Sequence, residues 1–172
     1  MNMKFKGRTY IKGLLIVNKK ISLPKDYNPG LNKKMMKMYY KMERLAKCNN
    51  LKLDIVSGFR DYDYQEKIYN EYVEKYGLKK ASTFSAKPGH SEHQTGLALD
   101  ILDDTDNFIN TKEAKWLDKN AHKFGFIIRY PKGKEKITGY KYEPWHIRYV
   151  GKINATRIWN RHITLEEYLK ID

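Results

Sequence analysis

The apolar and polar residues of this chain change their spacing repeatedly, and each change predicts a boundary between helix and strand. Across residues 31–46, methionine, tyrosine and leucine side chains recur at helical spacing opposite a lysine-rich face, which predicts an amphipathic helix. Residues 51–55 alternate apolar and polar side chains, which predicts a strand. A second helix is expected to be capped by Asp61 or Asp63 and to end at Gly77. Its expected buried face consists of Tyr64, Ile68, Tyr69, Tyr72 and Val73.

The second half of the chain continues this mixture of spacings. Thr111 is predicted to cap a helix, residues 126–130 predict a strand, and Thr164 with Glu167 predicts a capping box for the last helix. A short apolar run at residues 14–17 predicts one more buried strand. The helices cluster before and between strands that need not be parallel to their sequence neighbours. The pattern therefore predicts an α+β fold with a small, largely antiparallel sheet flanked by helices.

Length and composition predict one domain with a basic surface. The 172 residues suffice for a single core, so we expect one domain over residues 1–172, with residues 1–12 as a candidate flexible segment. The single cysteine, Cys48, excludes an internal disulfide and is interpreted as a small buried apolar residue. Lysine and arginine together number 34 against 20 acidic residues. That excess favours polyanionic surroundings such as nucleic acid, anionic lipid or an anionic cell wall.

The distribution of charge and apolar residues narrows these choices. The basic residues are scattered and form no stripe with interleaved aromatic residues, so nucleic acid is not the expected partner. The apolar run at residues 14–17 is too short for a signal segment or a membrane span. We therefore expect a monomer without a membrane span. It would be cytoplasmic as given, or belong to the cell envelope if an export segment has been removed.

Two distant stretches carry the candidate chemistry, namely residues 91–100 (Ser-Glu-His-Gln-Thr-Gly-Leu-Ala-Leu-Asp) and residues 143–146 (Glu-Pro-Trp-His). The first is predicted to run from a loop into a buried strand, which would carry His93 and Asp100. A second strand is expected to begin at His146. Two imidazoles and a carboxylate are ligands that zinc accepts from proteins. The hypothesis is a zinc site in which these three residues leave one position for water.

Glu143 completes the hypothesis as a general base, because it lies three residues before His146 without being needed as a ligand. An alternative interpretation stays open on spacing alone. A histidine near a turn is often a satisfied surface or core residue, and an aspartate that ends a strand often caps a turn. A dication other than zinc also stays open. The ordinary structural interpretation is adopted for His90, His122 and His162.

These motifs together resemble the VanY-type zinc D-alanyl-D-alanine carboxypeptidases, which are relatives of the VanX dipeptidases. The similarity begins near Leu14 and ends at Gly151, and it includes Ser-Gly-Phe-Arg at residues 57–60 and Pro-Gly-His-Ser-Glu-His-Gln-Thr-Gly at residues 88–96. The resemblance implies the same α+β fold, a Zn²⁺ cofactor, and removal of terminal D-alanine from peptidoglycan stem peptides or their precursors.

The resemblance also implies roles for three further residues. Arg60 matches an arginine that stabilises the developing oxyanion, and Gln65 and Ser85 match residues near the terminal carboxylate of the substrate. Phe59 and Phe84 depart from the family, which usually has tyrosine at the first position and often at the second. Both positions therefore lack the hydroxyl that a tyrosine would offer for hydrogen bonding.

Two alternatives to this function remain. The same zinc chemistry could act on another bond, as in an L,D-carboxypeptidase or a stem-peptide endopeptidase. More remotely, the chain could be a non-catalytic basic domain that binds the cell wall or nucleic acid, with its histidine and aspartate residues serving only the fold.

Overall fold

The central element of the fold is a four-stranded antiparallel sheet. The structure, a computed structural model, describes residues 2–102 and 106–171. The sheet has the strand order β4-β5-β7-β6, formed by β4 (Ile55–Ser57), β5 (Ala98–Ile101), β6 (Phe126–Tyr130) and β7 (Glu143–Tyr149). Helices precede, separate and follow its strands along the chain. This confirms the predicted α+β class with a largely antiparallel sheet.

A separate antiparallel sheet precedes the central one. It consists of β1 (Asn2–Phe5), β2 (Arg8–Ile11) and β3 (Leu14–Ile16) in sequential order. The predicted strand at residues 14–17 is confirmed, whereas β1 and β2 fall within residues 1–12, the candidate flexible segment. Met1 lies outside the described residues, and the mobility of the segment stays a prediction.

The two long helices occupy the predicted regions. Helix α1 (Lys33–Cys48) begins after Asn32, whose side chain accepts a hydrogen bond from the Met35 backbone. It turns Met35, Tyr39, Met42 and Ala46 into the core. The interpretation of Cys48 as buried is wrong, because this residue ends the helix on its exposed side.

Helix α2 (Tyr62–Tyr76) differs in detail from its prediction. Asp61 caps it by accepting a hydrogen bond from the Tyr64 backbone, and Gly77 ends it with a φ of 78°. Of the two expected caps, Asp61 is therefore the one that forms. The expected burial of Tyr64 is also wrong, because this side chain is 55% exposed, and Tyr72 is exposed as well. The buried members of the helix are Gln65 and Tyr69.

The remaining helices are short. They are α3 (Leu78–Ala81), α4 (Lys112–Asn120), α5 (Glu135–Thr138), α6 (Lys152–Arg161) and α7 (Leu165–Leu169), with single 3₁₀ turns at Glu92–Thr95, Asp106–Asn110 and Ala121–Phe124. Thr111 caps α4, and Thr164 with Glu167 forms a capping box at α7, so both predicted caps are confirmed. Among the described residues, no helix is long and apolar enough to cross a membrane.

The core lies mainly on one face of the central sheet, where α1 and α4 pack. Leu99 of β5 and Ile147 of β7 are fully buried there with Met42 and Leu117. Because side chains alternate between the two faces of a strand, Asp100 and His146 point to the opposite face. The strands therefore present apolar residues to the core and polar residues to a cleft.

Candidate metal centre

Strand pairing brings two of the predicted ligands together. In the antiparallel register of β5 and β7, Asp100 lies directly opposite His146. His93 reaches the same place from the 3₁₀ turn before β5, which Ser91 caps through a hydrogen bond from the His93 backbone at 3.3 Å. Strand β7 begins at Glu143 and not at His146 as predicted, so one strand carries both the second histidine and the candidate base.

The three predicted ligands form a tight buried cluster. His93 Nε2 lies 3.0 Å from Asp100 Oδ2, and His146 Nδ1 lies 3.0 Å from Asp100 Oδ1. The two imidazole rings are nearly perpendicular, with centroids 4.9 Å apart. One potential ligand atom from each of the three residues lies within 4.8 Å of the others. The cluster could therefore hold one metal ion.

Hydrogen bonding and charge around this cluster fit a cation. His93 Nδ1 lies 2.6 Å from the carbonyl oxygen of Gly58 and donates to it, which leaves the Nε2 lone pair facing Asp100. Within the described part of the chain, His93 Nε2 and Asp100 Oδ1 have no hydrogen-bond partner of good geometry. Buried polar atoms are rarely left in this way, whereas two nitrogens and a carboxylate are a ligand set for zinc.

The protonation states of these groups also suit a cation. Burial lowers the pKa of His93, and the neighbouring Arg60 lowers it further. Burial raises the pKa of Asp100, but attraction to His93 and His146 outweighs it and holds the pKa well below the usual value. Neutral imidazole and ionised carboxylate are the forms that bind metal ions.

Glu143 lies beside the cluster without belonging to it. Its Oε2 is 3.9 Å from His146 Nδ1, and its side chain is buried in the same cleft. Burial and the negative charge of Asp100 raise the pKa of Glu143 well above its ordinary value, although Lys141 and Arg60 partly oppose this. A carboxyl group with a raised pKa next to a metal site suits proton transfer.

Arg60 points into the cleft from the segment that follows β4. Its NH1 donates a hydrogen bond of 2.9 Å to Ser57 Oγ and lies 3.9 Å from Asp100 Oδ2. Its buried Nε has no hydrogen-bond partner among the residues described. The guanidinium is thus anchored at one nitrogen and has further donor capacity.

Gln65 and Ser85 also line the cleft. Gln65 Nε2 donates to the carbonyl oxygen of Ala86 at 2.8 Å and lies 3.5 Å from Ser85 Oγ. The structure therefore places every predicted site residue in one cleft of about 120 Å³. These residues are Arg60, Gln65, Ser85, His93, Asp100, Glu143 and His146.

Sequence reasoning missed a buried ionic network behind the cluster. Glu92 Oε1 accepts hydrogen bonds from Arg129 Nε at 2.9 Å and from Arg148 NH1 at 2.7 Å. Arg129 also pairs with the carboxylate of Glu166. Burial raises the pKa of Glu92, but the two arginines outweigh it and lower the pKa to about 2. Strand alternation was an available signal, because it places Arg148 on the same face as His146.

Two tyrosines also belong to the site although no sequence pattern indicated them. The Tyr130 ring lies 4.9 Å from the His146 ring, and the Tyr140 ring lies 4.5 Å from Tyr130. Tyr130 thus packs against His146, and Tyr140 packs against Tyr130. His90 lies outside the cluster and contacts the carbonyl oxygen of Asn18 at 2.7 Å, and His122 stacks on Trp159.

Comparisons with known proteins identify the family that has this fold. The family described as VanY, D-alanyl-D-alanine carboxypeptidase, matches residues 28–152. A D-alanyl-D-alanine carboxypeptidase of Enterococcus faecalis (strain ATCC 700802 / V583) is 35% identical over 92% of this chain, which spans 66% of that protein.

Solved structures agree with this assignment. The LdcB LD-carboxypeptidase superposes with a TM-score of 0.91 at 39% identity, covering 100% of this chain and 96% of that one. The vancomycin resistance D,D-pentapeptidase VanY, in complex with Zn(II), gives a TM-score of 0.78 at 35% identity, with 90% and 97% covered.

The fold and the ligand cluster thus define a peptidase of the metal-dependent class. The chain belongs to the VanY family of D-alanyl-D-alanine carboxypeptidases. The resemblance drawn from the sequence motifs is confirmed, and with it the prediction that the protein is an enzyme.

Proposed function

We propose that the protein is a zinc-dependent carboxypeptidase that removes the terminal D-alanine from peptidoglycan stem peptides or their precursors. The observation that carries this proposal is the convergence of His93, Asp100 and His146 beside Glu143 in one cleft. A VanY structure holds Zn(II), and VanYB is described in complex with D-alanine-D-alanine. Both are family members with at least 35% identity to this chain, which supports carrying their chemistry over.

In the proposed reaction, His93, Asp100 and His146 would hold the zinc. A zinc ion bound there would polarise the scissile carbonyl and lower the pKa of a water molecule. Glu143 takes a proton from the attacking water and returns it to the leaving amine of D-alanine. Because the pKa of Glu143 is raised, it lies closer to neutral pH, where a carboxyl group can both accept and donate a proton efficiently.

Arg60 stabilises the oxyanion that forms on the substrate. Its anchorage on Ser57 fixes the guanidinium before the substrate arrives, and its NH1, 3.9 Å from Asp100 Oδ2, lies next to the candidate metal site. Preorganised donors of this kind are commonly worth about 3 to 4 kcal/mol in the transition state. Gln65 and Ser85, which line the same cleft, would hold the free carboxylate of the substrate through their amide and hydroxyl donors.

A second candidate, L,D-carboxypeptidase activity, is favoured by a specific observation. The LdcB LD-carboxypeptidase covers the whole chain with a TM-score of 0.91, whereas VanY covers 90% with 0.78. Both activities release D-alanine with the same residues and differ in the stereochemistry of the preceding residue. An endopeptidase would use the same residues within a longer stem peptide.

The test compares defined stem peptides. A pentapeptide ending in D-Ala-D-Ala, a tetrapeptide ending in L-Lys-D-Ala and the D-Ala-D-Ala dipeptide are incubated with the enzyme, and the products are identified by mass spectrometry. We expect D-alanine release from the pentapeptide. Release only from the tetrapeptide would establish the L,D-carboxypeptidase instead, and cleavage inside the stem would establish an endopeptidase.

A further inference from the structure

The two candidate histidine ligands present different ring nitrogens to the candidate metal site. His93 faces Asp100 with Nε2, whereas His146 faces Asp100 with Nδ1. A histidine ligand normally donates its other ring N–H to a nearby acceptor, which fixes the tautomer. For His93 that acceptor is the carbonyl oxygen of Gly58. The corresponding acceptor for His146 has to be found on the side of Nε2.

The carboxylate of Glu92 lies on that side. Its Oε2 lies 4.0 Å from His146 Nε2, and both atoms are buried. Neither atom has a hydrogen-bond partner among the residues that the structure describes. At 4.0 Å the two atoms are about 1 Å beyond hydrogen-bond length, a gap that a small side-chain rotation closes. A carboxylate at this place favours the tautomer with hydrogen on Nε2, because the other tautomer would point a lone pair at it.

The ionic network holds Glu92 in the required orientation. Only Oε1 is used by the arginines, since Arg129 and Arg148 both donate to it, so Oε2 is left for His146. Arg148 is itself fixed by a hydrogen bond of 2.6 Å to the carbonyl oxygen of Leu15. Glu92, Arg129 and Arg148 are all 2% exposed or less, so water cannot substitute freely for these contacts.

From these contacts we propose that Glu92 is the positioning residue for His146. Its Oε2 accepts the Nε2–H of His146 and thereby keeps the Nδ1 lone pair directed at the metal. This role rests on the zinc site proposed above. It assigns the glutamate between Ser91 and His93 to the second histidine of the site, 54 positions further along the chain.

The variant Glu92→Gln tests this role. Glutamine can still accept hydrogen bonds from the arginines, but it then turns an amide donor towards His146 Nε2 and favours the opposite tautomer. We expect zinc affinity, measured by competition with a chelator of known affinity, to fall about 10- to 100-fold, as is common when such a partner of a ligand is lost.

The matched control is Glu166→Gln. It removes one negative charge from the same buried network, at the carboxylate that pairs with Arg129, but it does not contact His146. We expect its zinc affinity to stay within about twofold of the unaltered protein. Equal loss of zinc affinity in both variants, or no loss in Glu92→Gln, would overturn the proposal and leave Glu92 a residue of the fold alone.

A second measurement detects the hydrogen bond itself. In the zinc-loaded protein, where Nδ1 of His146 would face the metal, proton NMR reports whether its Nε2–H is hydrogen-bonded. We expect a downfield-shifted, slowly exchanging Nε2–H in the unaltered protein and in Glu166→Gln, and its loss in Glu92→Gln. An Nε2–H that exchanges equally fast in the unaltered protein and in Glu92→Gln would refute the role of Glu92, whereas failure of the unaltered protein to bind zinc would count against the proposed zinc site.

Discussion

At the scale of single residues, three carboxyl groups in the cleft have different surroundings, and the roles proposed for them differ accordingly. Asp100 is held ionised between two histidines, whereas burial and the charge of Asp100 raise the pKa of Glu143. Glu92 is held ionised by two arginines. The same functional group therefore has three electrostatic settings within one cleft. These settings underlie the proposed division of roles.

Removing the Glu143 carboxyl group separates proton transfer from metal binding. In Glu143→Ala, the three candidate ligands remain in place, so we expect zinc content equal to that of the unaltered protein. Turnover should fall about 10²- to 10⁴-fold, which is the usual contribution of a general base. Metal analysis and D-alanine release on the same preparation measure both. Unaltered turnover would contradict the assignment of Glu143 as the base.

The sequence allowed prediction of candidate site residues that fall in recognisable short motifs, whereas a residue identified only by its distant partners was missed. His93, Asp100, Glu143 and His146 were found because they fall in two short stretches with informative spacing. Glu92 resembles an ordinary polar turn residue, because the arginines that bury it lie 37 and 56 positions away. Only the folded sheet brings them together.

At the scale of elements, turns and caps explain where predictions and structure differ. Strands β1, β2 and β3 are joined by two tight loops, at Lys6-Gly7 and Lys12-Gly13, in which all residues have positive φ. Such loops match the twist of a hairpin, but asparagine or aspartate usually precedes the glycine. Lysine gives no comparable signal, which is why the N-terminal sheet was not predicted.

The cap of α2 provides a prediction at this scale. Asp61 accepts a hydrogen bond of 2.8 Å from the Tyr64 backbone, whereas Asp63 pairs with Lys25 at the exposed surface. Asp61→Ala should lower the free energy of unfolding by about 1 kcal/mol, as expected for loss of a helix cap. Asp63→Ala is the matched control and should cost clearly less, because exposed ion pairs contribute little. Urea unfolding measures both, and the reverse order would contradict the assigned cap.

The turn that carries His93 ends at Gly96, where both the backbone conformation and a neighbouring carbonyl group disfavour any side chain. Its φ is +69°, and an added Cβ would overlap the carbonyl oxygen of Gly30. Gly13 has a similar φ of +76° but open space around it. Gly13→Ala should therefore cost about 1 to 2 kcal/mol from the backbone conformation alone.

The same change at Gly96 should cost more, because the backbone of Gly30 must also move. Gly96→Ala should in addition weaken zinc binding, since it displaces the turn that holds His93. Thermal unfolding and zinc titration of the two variants make the comparison. Equal losses of stability, with zinc affinity unchanged in both, would show that the contact with Gly30 is unimportant.

At the scale of the whole molecule, the antiparallel sheet explains why so distant a set of residues forms one site. The α+β class and most helices were predictable, because each has a local period or a cap. The order β4-β5-β7-β6 was not, because it depends on which strands pair across long connections. That order places β5 and β7 side by side, so Asp100 meets His146.

The net charge of +14 provides a test that distinguishes a peptidase from the remote alternative, a non-catalytic basic binding domain. A binding domain of this charge should lose its polyanion with a steep dependence on salt and should be indifferent to chelation. Cleavage of a small stem peptide should show the opposite behaviour. Monomeric state remains a prediction, as does the compartment in which the protein acts.

The most direct test of the central claim is D-alanine release from a pentapeptide before chelation, after removal of metal, and after addition of zinc. The account predicts release that chelation abolishes and about one equivalent of zinc restores, with no recovery in Glu143→Ala. Release that persists in metal-free protein, verified by metal analysis, would contradict a zinc-dependent carboxypeptidase built on His93, Asp100 and His146.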